Sequence, residues 1–233
     1  MNIAIIAAAG QGARMGGGRA KQFLELAGTP IIIHTLKCFE QCDVIHAIVV
    51  VLPEQDVAGF VALTEKHALG KIARVVAGGA TRAESVWRGL QAVDQSAVEI
   101  VAVHDGARPF VTVDEITRTV AAARQYEAAI LVAPVTDTIK EIEAGSVSRT
   151  LNRAQLRRAL TPQCFDYSLL RRAYEQADVR NDSELTDDSV VVERLGVKVA
   201  IIEGSPRNIK ITRPEDIAIA EGLLVSGQWS VAI

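Results

Sequence analysis

Six short apolar runs, each set off from the next by helical or turn-rich stretches, constrain the fold of this 233-residue chain more than any other feature. They are Ile3–Ala8, Ala47–Leu52, Ala73–Val76, Ile100–His104, Ala129–Ala133 and Lys198–Ile202. Their near-continuous β-branched and alanine content suits strands covered on both faces, as in a parallel sheet. Between them, helical patterns run over Ile31–Glu40, Gln55–His67, Ala83–Val93 and Val113–Tyr126. Thr112 with Glu115 has capping-box spacing, and so does Thr212 with Glu215 at the final helix, Pro214–Leu224. This order predicts one α/β domain over residues 1–233, Rossmann-like and three-layered, with a mostly parallel central sheet.

One stretch breaks the alternation. Thr136–Arg153 is polar, carries Gly145-Ser146, and has two short β-capable pieces, Thr138–Ile142 and Ser148–Leu151. It reads as a hairpin arm projecting from the sheet. A two-stranded arm is too small to be stable alone, so a second subunit is the expected packing partner.

The first apolar run leads directly into Ala8-Ala9-Gly10-Gln11-Gly12-Ala13-Arg14-Met15, with Lys21-Gln22 beyond. A glycine-rich turn at the end of a buried strand lets backbone N–H groups close around phosphate oxygens. Arg14 and Lys21 add fixed positive charge to the same stretch, which points to a triphosphate cradle rather than a plain connection. A dinucleotide fingerprint would need glycine where Met15 stands, and Gly16-Gly17-Gly18-Arg19 lacks the Gly-Lys-Ser/Thr of a Walker A loop.

Bulk properties narrow the class. Hydrophobic residues make up 49%, which excludes disorder, and a net charge of −3 argues against a general nucleic-acid or anionic-membrane binder. No apolar run reaches the roughly 18–20 residues of a membrane span, and Met1-Asn2-Ile3 has no basic region of a signal peptide. Cys38, Cys42 and Cys164 do not form a secreted disulfide pattern, and a cytoplasmic location is expected. Cys38 and Cys42 are placed on one side of a helix; packing is favoured over a metal pair because no Cys-His set completes four ligands. His34, His46 and His67 are scattered and read as structural or surface residues.

Two further segments follow strands. Gly78-Gly79-Ala80-Thr81-Arg82-Ala83-Glu84-Ser85 permits close backbone approach, and Thr81 or Ser85 can cap the following helix. His104-Asp105-Gly106-Ala107-Arg108-Pro109 sits where open α/β sheets bind ligands, beyond a strand's carboxyl end. Asp105 and Arg108 are ligand contacts there, or a salt bridge with each other. Lys210 lies in what reads as an apolar strand, Asn208–Thr212, at a strand-to-helix junction.

AAGQGARM (8–15), KQF (21–23), GGATRAESV (78–86), VHDGARP (103–109), APVTDTIK (133–140), LNRAQLRRALTPQ (151–163), LTDDS (185–189) and NIKITRPED (208–216) occur in this order across nearly the whole chain. With these segments the sequence resembles the 2-C-methyl-D-erythritol 4-phosphate cytidylyltransferases, so the expected fold becomes the nucleotidyltransferase form with its projecting β-arm. The resemblance implies that Ala8, Ala9, Gly10, Gln11, Gly12, Arg14 and Lys21 hold the CTP phosphates and Mg²⁺, with no protein ligand to the metal assigned. It implies that Gly79 and Ser85 recognise cytosine, that Arg14 and Lys21 stabilise the transition state, and that Arg153 and Lys210 position methylerythritol phosphate. Asp105, Arg108, Thr138, Thr161 and Thr186 match the surrounding acceptor pocket. The arm, about 136–153, implies a homodimer in which Thr138 and Arg153 serve the neighbouring site. Two positions depart from many relatives: Ala20 stands in place of proline, and Ala80 in place of an acidic residue that can contact the base.

The implied chemistry is physically coherent. The nucleophile is a phosphate monoester, already largely ionised near neutral pH, so no general base is required. The obstacle is repulsion between two anions, which fixed cations offset as pyrophosphate leaves in line. The nearest rival is a ribitol 5-phosphate (pentitol-phosphate) cytidylyltransferase, from which Asp137–Lys140, Asn152-Arg153 and Ala159–Gln163 turn the reading away. A sugar-1-phosphate nucleotidyltransferase, a nucleotide-binding regulatory subunit without turnover and a dinucleotide-dependent oxidoreductase stand further off. With little sequence after Leu224, a fused second enzyme is not expected.

Overall fold

The computed structural model describes residues 1–10, 20–94 and 97–225. Strand β1 (Asn2–Ala7) is followed by the short pair β2 (Glu25–Leu26) and β3 (Thr29–Pro30). Helix and strand then alternate: α1 (Ile31–Glu40), β4 (Ala47–Leu52), α2 (Glu54–Lys66), β5 (Ile72–Ala77), α3 (Arg82–Gln91), β6 (Ile100–Asp105) and α4 (Val113–Tyr126). Next come β7 (Ala128–Pro134), the hairpin β8 (Lys140–Glu143) and β9 (Ser146–Thr150), and the long β10 (Arg157–Asp166). The remaining elements are α5 (Tyr167–Gln176), α6 (Asp188–Glu193), β11 (Ala200–Glu203) and α7 (Pro214–Val225).

Seven strands form the central sheet in the order β11-β7-β10-β6-β1-β4-β5. β1 sits between β4 and β6, parallel to both, with Ile5 opposite Val49 and Val103. Strand side chains alternate between faces, and the core divides accordingly. Ala4, Ile6, Ile48 and Val50 pack with Leu36 and Phe39 of α1, Phe60 of α2 and Ile116 of α4. On the opposite face Ile3, Ile5, Val49 and Val51 pack with Val86 and Leu90 of α3, Leu170 and Tyr174 of α5, and Val191 of α6. The expected mostly parallel, three-layer α/β architecture is therefore present.

Several expectations need correction. β10 runs antiparallel to both β6 and β7, and neither it, nor α5, nor α6 was anticipated. Its ladder with β7 is irregular between Ala159 and Gln163, and Pro162, which lacks a ladder donor, lies in that gap. The segment from Asn208 to Thr212 is not a strand; Ile209 and Ile211 instead pack beneath α7. Thr112 and Glu115 do form a capping box, but the Thr212 N–H and hydroxyl both donate to Asp216, not Glu215, at 2.7 and 2.9 Å. Cys42 lies just beyond α1 rather than on it. The three cysteines are buried, and Cys38 and Cys42 point their thiols toward His34 O and the Thr117 hydroxyl. Burial pushes the Cys38 thiol up to about 12, so it packs as a small hydrophobe.

Candidate active site

Two adjoining cavities open beyond the carboxyl ends of β1, β5 and β6, where strand termini leave room for a ligand. The larger, about 500 Å³, is lined by Ala8, Ala9, Gly10, Lys21, Gly79 and Ser85, with Asp105 and Lys210 at one side. The smaller, about 210 Å³, is lined by Arg108, Thr161, Thr186, Gln163 and Asp187. Arg82, Asp105 and Lys210 border both.

The shape of the larger cavity depends on close backbone approach. Gly78 donates to Leu52 O at 2.7 Å, continuing β5 beside β4, and a Cβ there would lie 2.2 Å from the Ala9 Cβ. Gln22, fully buried, donates from Nε2 to Ala8 O at 2.6 Å and ties the short helical turn at Lys21–Phe23 to the end of β1. Thr81 caps α3 by accepting from Glu84 N at 2.9 Å. The Ser85 hydroxyl accepts from Gly79 N at 3.1 Å and donates to Thr81 O at 2.8 Å, so it braces the loop rather than capping the helix.

Asp105 is the electrostatic centre. One carboxylate oxygen takes Arg82 Nε at 3.1 Å; the other takes Arg108 Nε and Lys210 Nζ, each at 3.0 Å. The salt bridge with Arg108 is thus present, but it is one of three. Arg82 reaches on to Asp188 at 2.7 Å, whose other oxygen accepts from Tyr174 OH at 2.6 Å. Burial by itself would raise the Asp105 pKa, but Arg82, Lys210 and Arg108 outweigh it and hold it well below the usual carboxylate range. Burial likewise disfavours charge on Arg82, yet Asp188 and Asp105 keep it protonated. Three cations face two carboxylates, leaving one positive charge in excess on the wall between the cavities. Such a wall attracts anions.

A neutral network fixes the wall from behind. Thr161 accepts from Asp105 N at 3.1 Å, and its hydroxyl lies 3.0 Å from His104 Nδ1, while His104 Nε2 lies 3.1 Å from Arg108 O. Burial lowers the His104 pKa to about 3, so the ring is neutral, donating from Nε2 and accepting at Nδ1. Asn208 donates to Thr161 O at 2.9 Å and its own carbonyl accepts from Arg108, which orients the segment carrying Lys210.

Of the site residues expected from sequence, Ala8, Ala9, Gly10, Lys21, Gly79, Ser85, Asp105 and Lys210 converge on the larger cavity. Arg108, Thr161 and Thr186 meet at the smaller. Gln11, Gly12 and Arg14 lie outside the described residues. Thr138 and Arg153 are brought to neither cavity: they lie at the base of the hairpin arm, where Arg153 donates to Thr136 O. Residues missed by sequence reasoning are Arg82, Gln22, Gln163, Asp187 and Asp188. Gln22 and Asp187 adjoin Lys21 and Thr186, a signal of position, whereas Gln163 and Asp188 stand two residues from Thr161 and Thr186, and Arg82 stands three from both Gly79 and Ser85.

Comparison with known proteins identifies the family and the fold. The family model for 2-C-methyl-D-erythritol 4-phosphate cytidylyltransferase matches residues 2–226. A 2-C-methyl-D-erythritol 4-phosphate cytidylyltransferase of Halalkalibacterium halodurans is 45% identical over 94% of this chain and 95% of its own length. One from Geobacter metallireducens is 42% identical over 95% of this chain and 97% of its own. Among solved structures, 4-diphosphocytidyl-2C-methyl-D-erythritol synthase from Anaerococcus prevotii superposes with a TM-score of 0.85 at 34% identity, covering 97% of this chain and 96% of its own. The Thermus thermophilus enzyme gives 0.78 at 34% identity, covering 95% and 98%.

Proposed function

This chain belongs to the 2-C-methyl-D-erythritol 4-phosphate cytidylyltransferase family, and we infer from that membership that it transfers CMP from CTP to 2-C-methyl-D-erythritol 4-phosphate. The products are 4-diphosphocytidyl-2-C-methyl-D-erythritol and pyrophosphate, and the reaction serves isoprenoid precursor synthesis. The observation that carries this reading is the cationic wall of Arg82, Asp105 and Lys210 shared by two adjoining cavities. Two anionic reactants can meet there across one positively charged partition.

In this reading the triphosphate lies along Ala8–Gly12, with Arg14 and Lys21 on the charge that develops at the α-phosphate. The acceptor phosphate approaches from the side of Lys210, Arg108, Thr161 and Thr186, in line with the departing pyrophosphate. Lys210, held by Asp105 before substrate arrives, is already oriented and needs no reorganisation. The only carboxylates among the described cavity-lining residues are Asp105 and Asp187, and Asp105 is engaged by three cations. That donor set fits Mg²⁺ carried in on the nucleotide phosphates, where it neutralises charge, rather than a metal held in a protein cage.

A homodimer completes the site. The arm's strands are exposed along their whole length, and Ile142 and Val147, directly paired in the hairpin, are 58% and 57% exposed. A second copy of the chain covers them, and Thr138 and Arg153 then reach the neighbouring acceptor pocket. We place the reaction in the cytoplasm: the thiols are free, the substrates are charged, and no helix among the described residues is long and apolar enough to cross a membrane.

Pyrophosphate release with CTP and Mg²⁺ tests the reading, with methylerythritol phosphate and ribitol 5-phosphate as parallel acceptors. Turnover with the former and little with the latter is expected; a preference for ribitol 5-phosphate would overturn it.

A further inference from the structure

Glu84 lies beneath the nucleotide-side loop, nearly buried, and is held by more partners than a helix cap requires. One oxygen accepts from Ala80 N at 2.8 Å; the other takes Arg88 at 3.0 Å and Arg180 at 3.0–3.1 Å. Arg88 also donates to Gly78 O at 2.7 Å, so the pair grips both ends of Gly78–Ala80. Thr81 donates to Val179 O, binding the same loop to the segment that carries Arg180. The fit is tight: a Cβ on Gly79 would lie 2.3 Å from the Glu84 side chain.

This grip decides which polar groups the loop can offer. Within Gly78–Ala80 every N–H is turned inward, to Leu52 O, Ser85 Oγ and Glu84 Oε2. The carbonyls of Gly79 and Ala80 have no partner among the described residues, and both residues line the cavity. An edge that only accepts suits a base presenting an amine, and it rejects one presenting a carbonyl at the same position.

We propose that Glu84, locked by Arg88 and Arg180, is a positioning residue for pyrimidine choice. It holds Ala80 N–H out of the cavity, so cytosine's exocyclic amine finds acceptors while uracil's O4 finds no donor. This rests on the cytidylyltransferase reading above. It assigns selectivity to a side chain that does not itself line the cavity.

The test compares CTP and UTP as donors, with KM for both nucleotide and acceptor. Glu84→Ala frees Ala80 N–H and is expected to lower the CTP-over-UTP ratio of kcat/KM about tenfold, the worth of one hydrogen bond exchanged for a mismatch. KM for CTP rises while KM for the acceptor stays within about twofold, a split that general loosening does not produce. Glu84→Gln, which keeps an oxygen for Ala80 N–H, restores most of the preference. Arg180→Ala, at a largely exposed arginine, gives a smaller shift in the same direction and covers the case in which Glu84→Ala does not fold. An unchanged CTP-over-UTP ratio in Glu84→Ala, or in Arg180→Ala if the former is unfolded, overturns the proposal, as does a parallel rise in both KM values. Wild-type protein without CTP-dependent turnover would instead overturn the functional reading itself.

Discussion

Asp105 holds three cations in place before any substrate binds, and Lys210, bordering both cavities, is the most exposed of them, at 35% against 23% for Arg82 and 12% for Arg108. Lys210→Ala should leave CTP binding near wild type, since in the proposed arrangement Lys210 meets the acceptor phosphate rather than the triphosphate. It should lower kcat by about 10²–10³, the usual loss of one preorganised charge-stabilising donor; equilibrium binding and steady-state turnover check the two halves. Behind it, His104 makes stability depend on pH. Its pKa falls from 6.5 to about 3 on folding because burial disfavours the imidazolium. Above 6.5 neither state carries the proton; between 6.5 and about 3 the unfolded chain binds one that the native ring refuses. Stability is therefore full above that window and declines as pH falls through it, by about 1.4 kcal/mol per unit for this group. His34, also lowered by burial, adds in the same direction. His104→Gln should flatten the pH profile of the urea midpoint, and an unaltered slope would exclude the ring as its source.

At the scale of elements, the nucleotide cavity exists because the loops after β1, β5 and β6 come within van der Waals contact. A Cβ at Gly78 would meet Ala9 at 2.2 Å, and one at Gly106 would meet Ala8 at 2.7 Å. Gly78→Ala is expected to cost roughly 1–3 kcal/mol of stability, as overpacking does, and to raise KM for CTP; thermal unfolding and initial rates measure both. Elements with a clear period were legible in the sequence: β1, β4, β6, α1 and α4 sit within a residue or so of their expected bounds. β10 was hidden by Arg157-Arg158 at one end and Pro162 in the middle, features that argue against a central strand until the ladder's irregularity accommodates them. Lys210 was found through resemblance, while its strand-like surroundings misled, because Ile209 and Ile211 serve a small cluster under α7. Arg82 was passed over for a simpler reason. Its partners stand 23 and 106 residues away, and no local pattern announces a charge whose meaning is set by folding.

At the scale of the whole molecule, the homodimer proposed above would make assembly part of the chemistry through the exposed arm. If Arg153 serves the partner's pocket, Arg153→Ala and Lys210→Ala subunits, each nearly inactive alone, should complement when mixed. Half of randomly reassorted two-fold dimers are mixed and each holds one intact site, so about a quarter of wild-type activity should return. No recovery despite confirmed subunit exchange would place Arg153 in its own chain's pocket. The partition between the cavities carries a last consequence. Because Arg82, Asp105 and Lys210 touch both compartments, donor and acceptor can be resident together, and no side chain has to carry the nucleotidyl group between them. Double-reciprocal plots should intersect as for a ternary complex. Parallel lines, or exchange of labelled pyrophosphate into CTP without acceptor, would mean that a covalent adduct forms first.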